Sequence, residues 1–200
     1  MSENNNTQRK QKIKEISGHF SEILYSLGIV INDSTENTAH RVAKMLVDEL
    51  CHGLFSGPPD IMVQDNKLGY DQMIIQAGME INGLCEHHFL PILGKCHIAY
   101  IPGGKIIGLS KLSRIARWHS ARPHVQEELT QKIKNYLEKA LETPDIAVAI
   151  DGRHLCMKIR GIKDSGALTR TTALGGAFRN SMAARNEFLS SIPKLIHDRP

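Results

Sequence analysis

Two short runs carry the metal-ligand chemistry of this chain: Cys85-Glu86-His87-His88 and, well downstream, His154-Leu155-Cys156. A thiol and an imidazole at C-x-x-H spacing, joined by a further Cys on an expected strand, make up the inventory of a three-ligand zinc site. Structural zinc is normally closed by four protein ligands, whereas a catalytic ion keeps one position for water, so a count of three points to catalysis. A C-x-x-H loop can wrap a cation with Cys85 and His88, while the adjacent His87 and His88 do not easily reach one ion together. His87 and His154 then remain beside the metal as candidate acid/base groups. Taken singly, either cysteine would more often be a small buried hydrophobe. It is the pairing of C-x-x-H with H-x-C that favours ligation. Cys51 and Cys96 are assigned to packing, and His97, His119, His124 and His197 to structural roles.

The elements that must position these residues can be read from periodicity. Ile13, Ile16, Phe20, Ile23, Leu24 and Leu27 recur at helical spacing and stop near Gly28. After the cap-rich stretch 32–38, a second helix is expected with Ala39, Val42, Met45, Leu46 and Leu50 inward and Gly53 near its end. Gly57-Pro58-Pro59 breaks regular structure. Lys95 to Ile101 alternates as a strand, with Cys96, Ile98 and Tyr100 on one face. Ser110 is expected to cap a helix carrying Leu112, Ile115 and Trp118, and Pro123 to begin the next, whose inner face is Val125, Leu129, Ile133, Leu137 and Leu141. Residues 146–150 and 154–159 read as two strands joined at Asp151-Gly152, a hairpin signal that sets His154 and Cys156 on one strand face. A final helix is expected around 181–192. The order of helices and strands is that of an α+β protein. The expected organisation is a flexible tail over 1–11, a helical region over 12–72 and a catalytic domain over 73–200.

The chain has 200 residues, of which 41% are hydrophobic, enough to fill a core. Residues 1–12 hold no apolar signal region, no run approaches a membrane span, and four cysteines without a disulfide framework fit a reducing compartment, so a cytoplasmic location is expected. A net charge of +4 points to an anionic partner without choosing among nucleotide, nucleic acid and lipid.

Several ordered motifs resemble the GTP cyclohydrolase I family over roughly residues 12–192. They are Cys85 through Phe89, Tyr100-Ile101-Pro102, Ile107 through Lys111, Arg122-Pro123 with Val125-Gln126-Glu127, and His154 through Arg160-Gly161. The resemblance implies the tunnelling T-fold, an antiparallel sheet with helices behind a helical N-terminal segment. Its subunit sheets join into barrels, two rings form a homodecamer, and active sites lie between subunits. It implies Zn2+ on Cys85, His88 and Cys156, and hydrolytic opening of the guanine imidazole ring of GTP, with loss of formate and recyclisation to 7,8-dihydroneopterin triphosphate. By the same resemblance His154 protonates N7 and His87 serves the later sugar chemistry. Ser110 sits at the phosphate or ribose, and Glu127 reads the guanine edge with Gln126 beside it in the substrate-binding set. Lys111, Arg114 and Arg160 hold phosphate, and Arg41 reaches in from a neighbouring subunit. The implied partners are GTP and copies of the chain itself, with no nucleic acid and no membrane. Ala173, Gly83 and Arg170 depart from the residues usual in the family, at positions flanking the site.

Two alternatives are weighed against this reading. Another T-fold pterin enzyme of the pyruvoyltetrahydropterin synthase kind would use three histidines and no Cys pair, and a zinc-stabilised nucleic-acid module would want a fourth ligand in a C-x-x-C knuckle, which is missing. The H-x-E and P-C-x-x-C signature of a zinc deaminase is missing too.

Overall fold

The computed structural model describes residues 3–194, and the chain divides into two compact units at Gly57/Pro58, where the Gly-Pro-Pro run interrupts it. The first unit is helical. It comprises α1 (Glu3–Ser26), α2 (Thr38–Met45), a π-helical turn at Leu46–Leu50, and α3 (His52–Phe55). α1 begins well before the apolar periodicity and stops short of Gly28, which adopts φ 72°. The inner face of the second helix differs from expectation: Ala39, Ala43 and Val47 are buried, while Met45 is exposed. Two small alanines on one stripe let α2 approach α1 closely, and Ala43 and Val47 pack with Ile13.

The second unit holds β1 (Val63–Asp65), β2 (Ile74–Cys85), β3 (Pro91–Tyr100), β4 (Lys105–Ile107), α4 (Leu109–Ser120), β5 (Pro123–His124) and α5 (Gln126–Leu141). These are followed by β6 (Ile146–His154), α6 (Leu155–Lys158), β7 (Thr169–Leu174), α7 (Gly176–Asn180) and α8 (Met182–Ser191). Five strands form one sheet in the order β5-β2-β3-β6-β7, antiparallel except for the β5–β2 pair, and β1 pairs with β4 separately. The α+β class follows. Among the described residues no helix is long and apolar enough to cross a membrane.

Both faces of the central strands are covered, which is why they read as nearly continuous apolar runs. On one face Cys96, Ile98, Tyr100, Val148 and Ile150 pack against Leu112 and Ile115 of α4 and Leu129, Ile133, Leu137 and Leu141 of α5. On the other, Ala99, Ala147 and Ala149 leave room for Phe178 and Phe188, whose rings meet edge to face at 5.9 Å.

Four local expectations are corrected. Asp151-Gly152 is no hairpin: both residues lie inside β6, Asp151 opposite Lys95 and Arg170, and Gly152 opposite Gly94 and Thr169. Residues 155–158 form a helical turn instead of a second strand. Pro123 does not start α5 but opens β5, where a missing N–H is tolerated at a strand start, and Val125 precedes the helix. Ser110 lies within the first turn of α4 behind Gly108, whereas Ser181 does cap α8, accepting from Ala184 N at 3.3 Å.

Candidate active site

β2 delivers Cys85 at its last residue, and the chain then folds tightly back. Phe89 N–H donates to Cys85 O at 2.8 Å and Cys85 N–H donates to Leu90 O at 2.9 Å, closing a loop around His87 and His88. Phe89 adopts φ 53°, a left-handed conformation that costs a non-glycine residue about 1–2 kcal/mol. The result is two imidazoles turned to one sulfur: Nδ1 of His87 lies 3.9 Å and Nδ1 of His88 3.8 Å from Cys85 Sγ.

β6 brings the second run. Ile146, Val148, Ile150, Gly152 and His154 alternate onto the face covered by α5, so His154 ends beside the start of that helix. The turn into α6 takes Cys156 off the strand face it was expected to share with His154. Ligand atoms of Cys85, His88 and Cys156 nevertheless lie within 4.8 Å of one another. Cys85 is buried, Cys156 half-buried and His88 exposed. Burial and the neighbouring Cys85 sulfur push the Cys156 thiol above its ordinary value. A soft cation would reverse that preference by binding both sulfurs as thiolates, so the donor set fits a thiophilic metal with one coordination position left open. Arg160 donates to Nε2 of His88, leaving Nδ1 as the nitrogen that faces the cluster.

Around these donors the expected residues are distributed unevenly. His154 is half-buried, and burial lowers its pKa while the carboxylate of Glu127, an exposed residue in the first turn of α5, pulls the other way. Gln126 is 2% exposed and spends its side chain on protein partners, among them His154 Nε2 at 2.9 Å. Ser110 and Lys111 occupy the first turn of α4, where Lys111 Nζ donates to Asp60 O at 3.1 Å, and Arg114 is exposed one turn on. Arg41 lies on α2 in the other unit. Two grooves of the second unit, of about 750 Å³ along Val63–Tyr70 and about 650 Å³ around Gly78, His97 and Asp151, are lined by none of Cys85, His88 and Cys156.

Three of the histidines set aside as structural are buried among the described residues, and His197 lies outside them. His124 sits on β5 opposite Cys85, and its Nδ1 donates to Arg122 O at 2.7 Å. It explains Gly83: a Cβ there would come 2.3 Å from His124 Cε1 and 2.6 Å from Ser120 O. Arg170 grips Asp151 with two bonds of 2.6 Å and donates to Pro193 O at 2.8 Å, compensating a carboxylate that lies 3.3 Å from the buried His97. Thr130 and Thr171, which sequence reasoning did not single out, are hydrogen-bonded to each other at 2.6 Å beside Gln126. Their only signal is a Thr one helical turn after Gln126.

A thiol–imidazole cluster at an open surface, with two further imidazoles and a carboxylate at its rim, is the equipment of a metal-assisted hydrolase. The chain belongs to the GTP cyclohydrolase I family, whose sequence profile matches residues 16–193. It is 46% identical over 190 residues to GTP cyclohydrolase 1 of Vibrio campbellii, covering 94% of this chain and 88% of that one. Against GTP cyclohydrolase 1 of Aeromonas salmonicida it is 44% identical over 185 residues, covering 92% and 85%. A solved structure of the archaeosine synthase QueF-Like in the apo form overlaps 54% of this chain and 94% of its own at 16% identity and a TM-score of 0.38.

Proposed function

We propose that this chain opens the guanine imidazole ring of GTP by hydrolysis at C8, releases formate and recloses the product as 7,8-dihydroneopterin triphosphate. The observation that carries the reading is the convergence of Cys85, His88 and Cys156 within 4.8 Å, with His154 on the adjoining strand end, in a member of this family. Cys85, His88 and Cys156 would hold Zn2+, which when bound supplies a water with a pKa near 7 in place of about 15.7.

The protein's own groups do the rest. His154 donates a proton at N7 of the base, which withdraws electrons from C8 and makes it a better electrophile. Glu127 accepts from both N1–H and the 2-amino group of guanine, a donor pair that adenine lacks. Lys111, Arg114 and Arg160 supply fixed charge to the triphosphate, Ser110 adds a hydroxyl at the phosphate or ribose, and Arg41 acts from a neighbouring copy. After formate leaves, the ribose must open, rearrange and close onto the exposed amine, and His87 moves protons at the sugar.

Assembly belongs to the same proposal. Neither the groove along Val63–Tyr70 nor the one around Gly78, His97 and Asp151 is lined by the cluster, and Phe89, Leu93, Leu109, Ile159, Ile162 and Met182 leave exposed apolar surface on this unit. Both features support active sites completed between subunits of a homodecamer, working in the cytoplasm. The test is direct: zinc-loaded protein is incubated with GTP, and formate and oxidised pterin fluorescence are followed. Equal yields of the two support the reading. Intact GTP after prolonged incubation with metal-replete protein refutes it.

A further inference from the structure

A closed polar network stands behind His154. The Gln126 amide nitrogen donates toward Ile150 O at 2.9 Å, Thr169 O at 3.0 Å and Thr171 Oγ1 at 3.1 Å. Carbonyl oxygens only accept, so the nitrogen end of the amide must face β6 and β7, and the oxygen end must face His154. That oxygen lies 2.9 Å from His154 Nε2 and can only accept in turn, so Nε2 carries hydrogen and Nδ1 is left for other contacts. The hydroxyls close the circuit: Thr130 Oγ1 donates to Gln126 O at 2.7 Å, hence accepts from Thr171 at 2.6 Å. The Gln126 amide cannot be turned over without setting its oxygen against the carbonyl oxygens of Ile150 and Thr169.

Gly152 makes the arrangement sterically possible. A Cβ on Gly152 would lie 2.1 Å from Gln126 Oε1, although the backbone at this residue is not in the left-handed region. The glycine is therefore needed for the close approach of the amide and not for a turn.

We propose that Gln126 is a positioning residue: it holds the Nε2–H edge of the His154 ring, so that Nδ1, bare in the neutral ring and protonated in the imidazolium that serves as the acid, is the nitrogen that meets the substrate, and Gly152 provides the space in which it does so. Gln126 thus acts through His154 and not by touching GTP. The consequence for turnover rests on the functional reading above, whereas the tautomer itself does not.

The experiment combines a double-mutant cycle with a spectroscopic readout on the full metal-loaded chain. Gln126→Met keeps side-chain length and removes both polar ends. It should lower formate release at saturating GTP by about 10- to 100-fold, the effect of a small misplacement of a reacting group, while GTP affinity stays within about twofold. Gly152→Ala, which leaves Gln126 chemically intact, should reproduce the effect by displacing the amide. Neither substitution should slow the residual reaction further in a His154→Ala background. A loss of affinity without loss of rate, or a full effect persisting without His154, overturns the proposal. Nitrogen spectra of ring-labelled histidine at mildly alkaline pH, with His154 identified by its loss in His154→Ala, should show the Nε2–H tautomer in the wild type and a mixture in Gln126→Met. A wild-type Nδ1–H tautomer also overturns it. Because that readout needs no GTP, a wild type with the expected tautomer but no formate release sinks the functional reading alone.

Discussion

His119 gives a quantitative test of how the second unit tolerates acid. Its ring is buried between Trp118 and Tyr136, with centroids 4.7 and 5.3 Å away, and neither ring nitrogen has a hydrogen-bond partner. Burial, aided by the Arg122 and Lys132 charges, lowers its pKa to about 4 from 6.5. Below pH 6.5 the unfolded chain therefore binds a proton that the folded chain refuses, and stability falls as pH drops toward 4. Between about pH 7.5 and pH 5 this single residue should cost about 2 kcal/mol, on a scale of roughly 1.4 kcal/mol per pH unit. His119→Phe keeps the edge-to-face contacts and abolishes the titration, and relieving two unpaired buried nitrogens adds about 1 kcal/mol or more at neutral pH. Denaturant unfolding of both proteins at both pH values and one protein concentration would measure this. An equal loss of stability in the variant and the wild type between the two pH values would show that His119 is not the group responsible.

The remaining expectations concern the site and its frame. Cys156→Ala should leave the protein folded but nearly metal-free by mass spectrometry and inactive on GTP, because two ligands do not hold zinc in catalytic geometry. Glu127→Gln should weaken GTP binding by about 1.5–3 kcal/mol, read by calorimetry, since an amide nitrogen then opposes a guanine donor and the charge-assisted pair is lost. Gly83→Ala should destabilise by about 1–3 kcal/mol in thermal or denaturant unfolding, because its Cβ would meet a buried ring and a backbone oxygen with no room to yield.

What the sequence disclosed depended on the physical range of each signal. The repeat of Leu129, Ile133, Leu137 and Leu141 reports burial along one helix, a local property, and all four lie buried on α5, although the helix starts only after Pro123 and Val125. The set of Cys85, His88 and Cys156 stood out because rare donor types occur at ligand spacing, and the fold brings their donor atoms together. Asp151-Gly152 misled for a tertiary reason: the glycine is set by the side chain of Gln126 lying against it, an approach that no short-range pattern encodes. Pro123 likewise suited a helix start locally, but pairing with Leu84 made it a strand. The network of Gln126, Thr130 and Thr171 was invisible because its partners are main-chain oxygens of β6 and β7, which have no residue signature.

The order of events at the guanine base is tested most directly by a quenched time course of zinc-loaded wild type, His154→Ala and His87→Ala with GTP, counting formate and pterin separately. Wild type should give equal amounts of both. His154→Ala should stall at or before ring opening with little formate, because unprotonated C8 is a poor electrophile. His87→Ala should accumulate a ring-opened intermediate while pterin lags, and both variants should retain metal. Identical product profiles for the two variants, or loss of zinc in His87→Ala with retention in His88→Ala, would contradict the assignment of these residues.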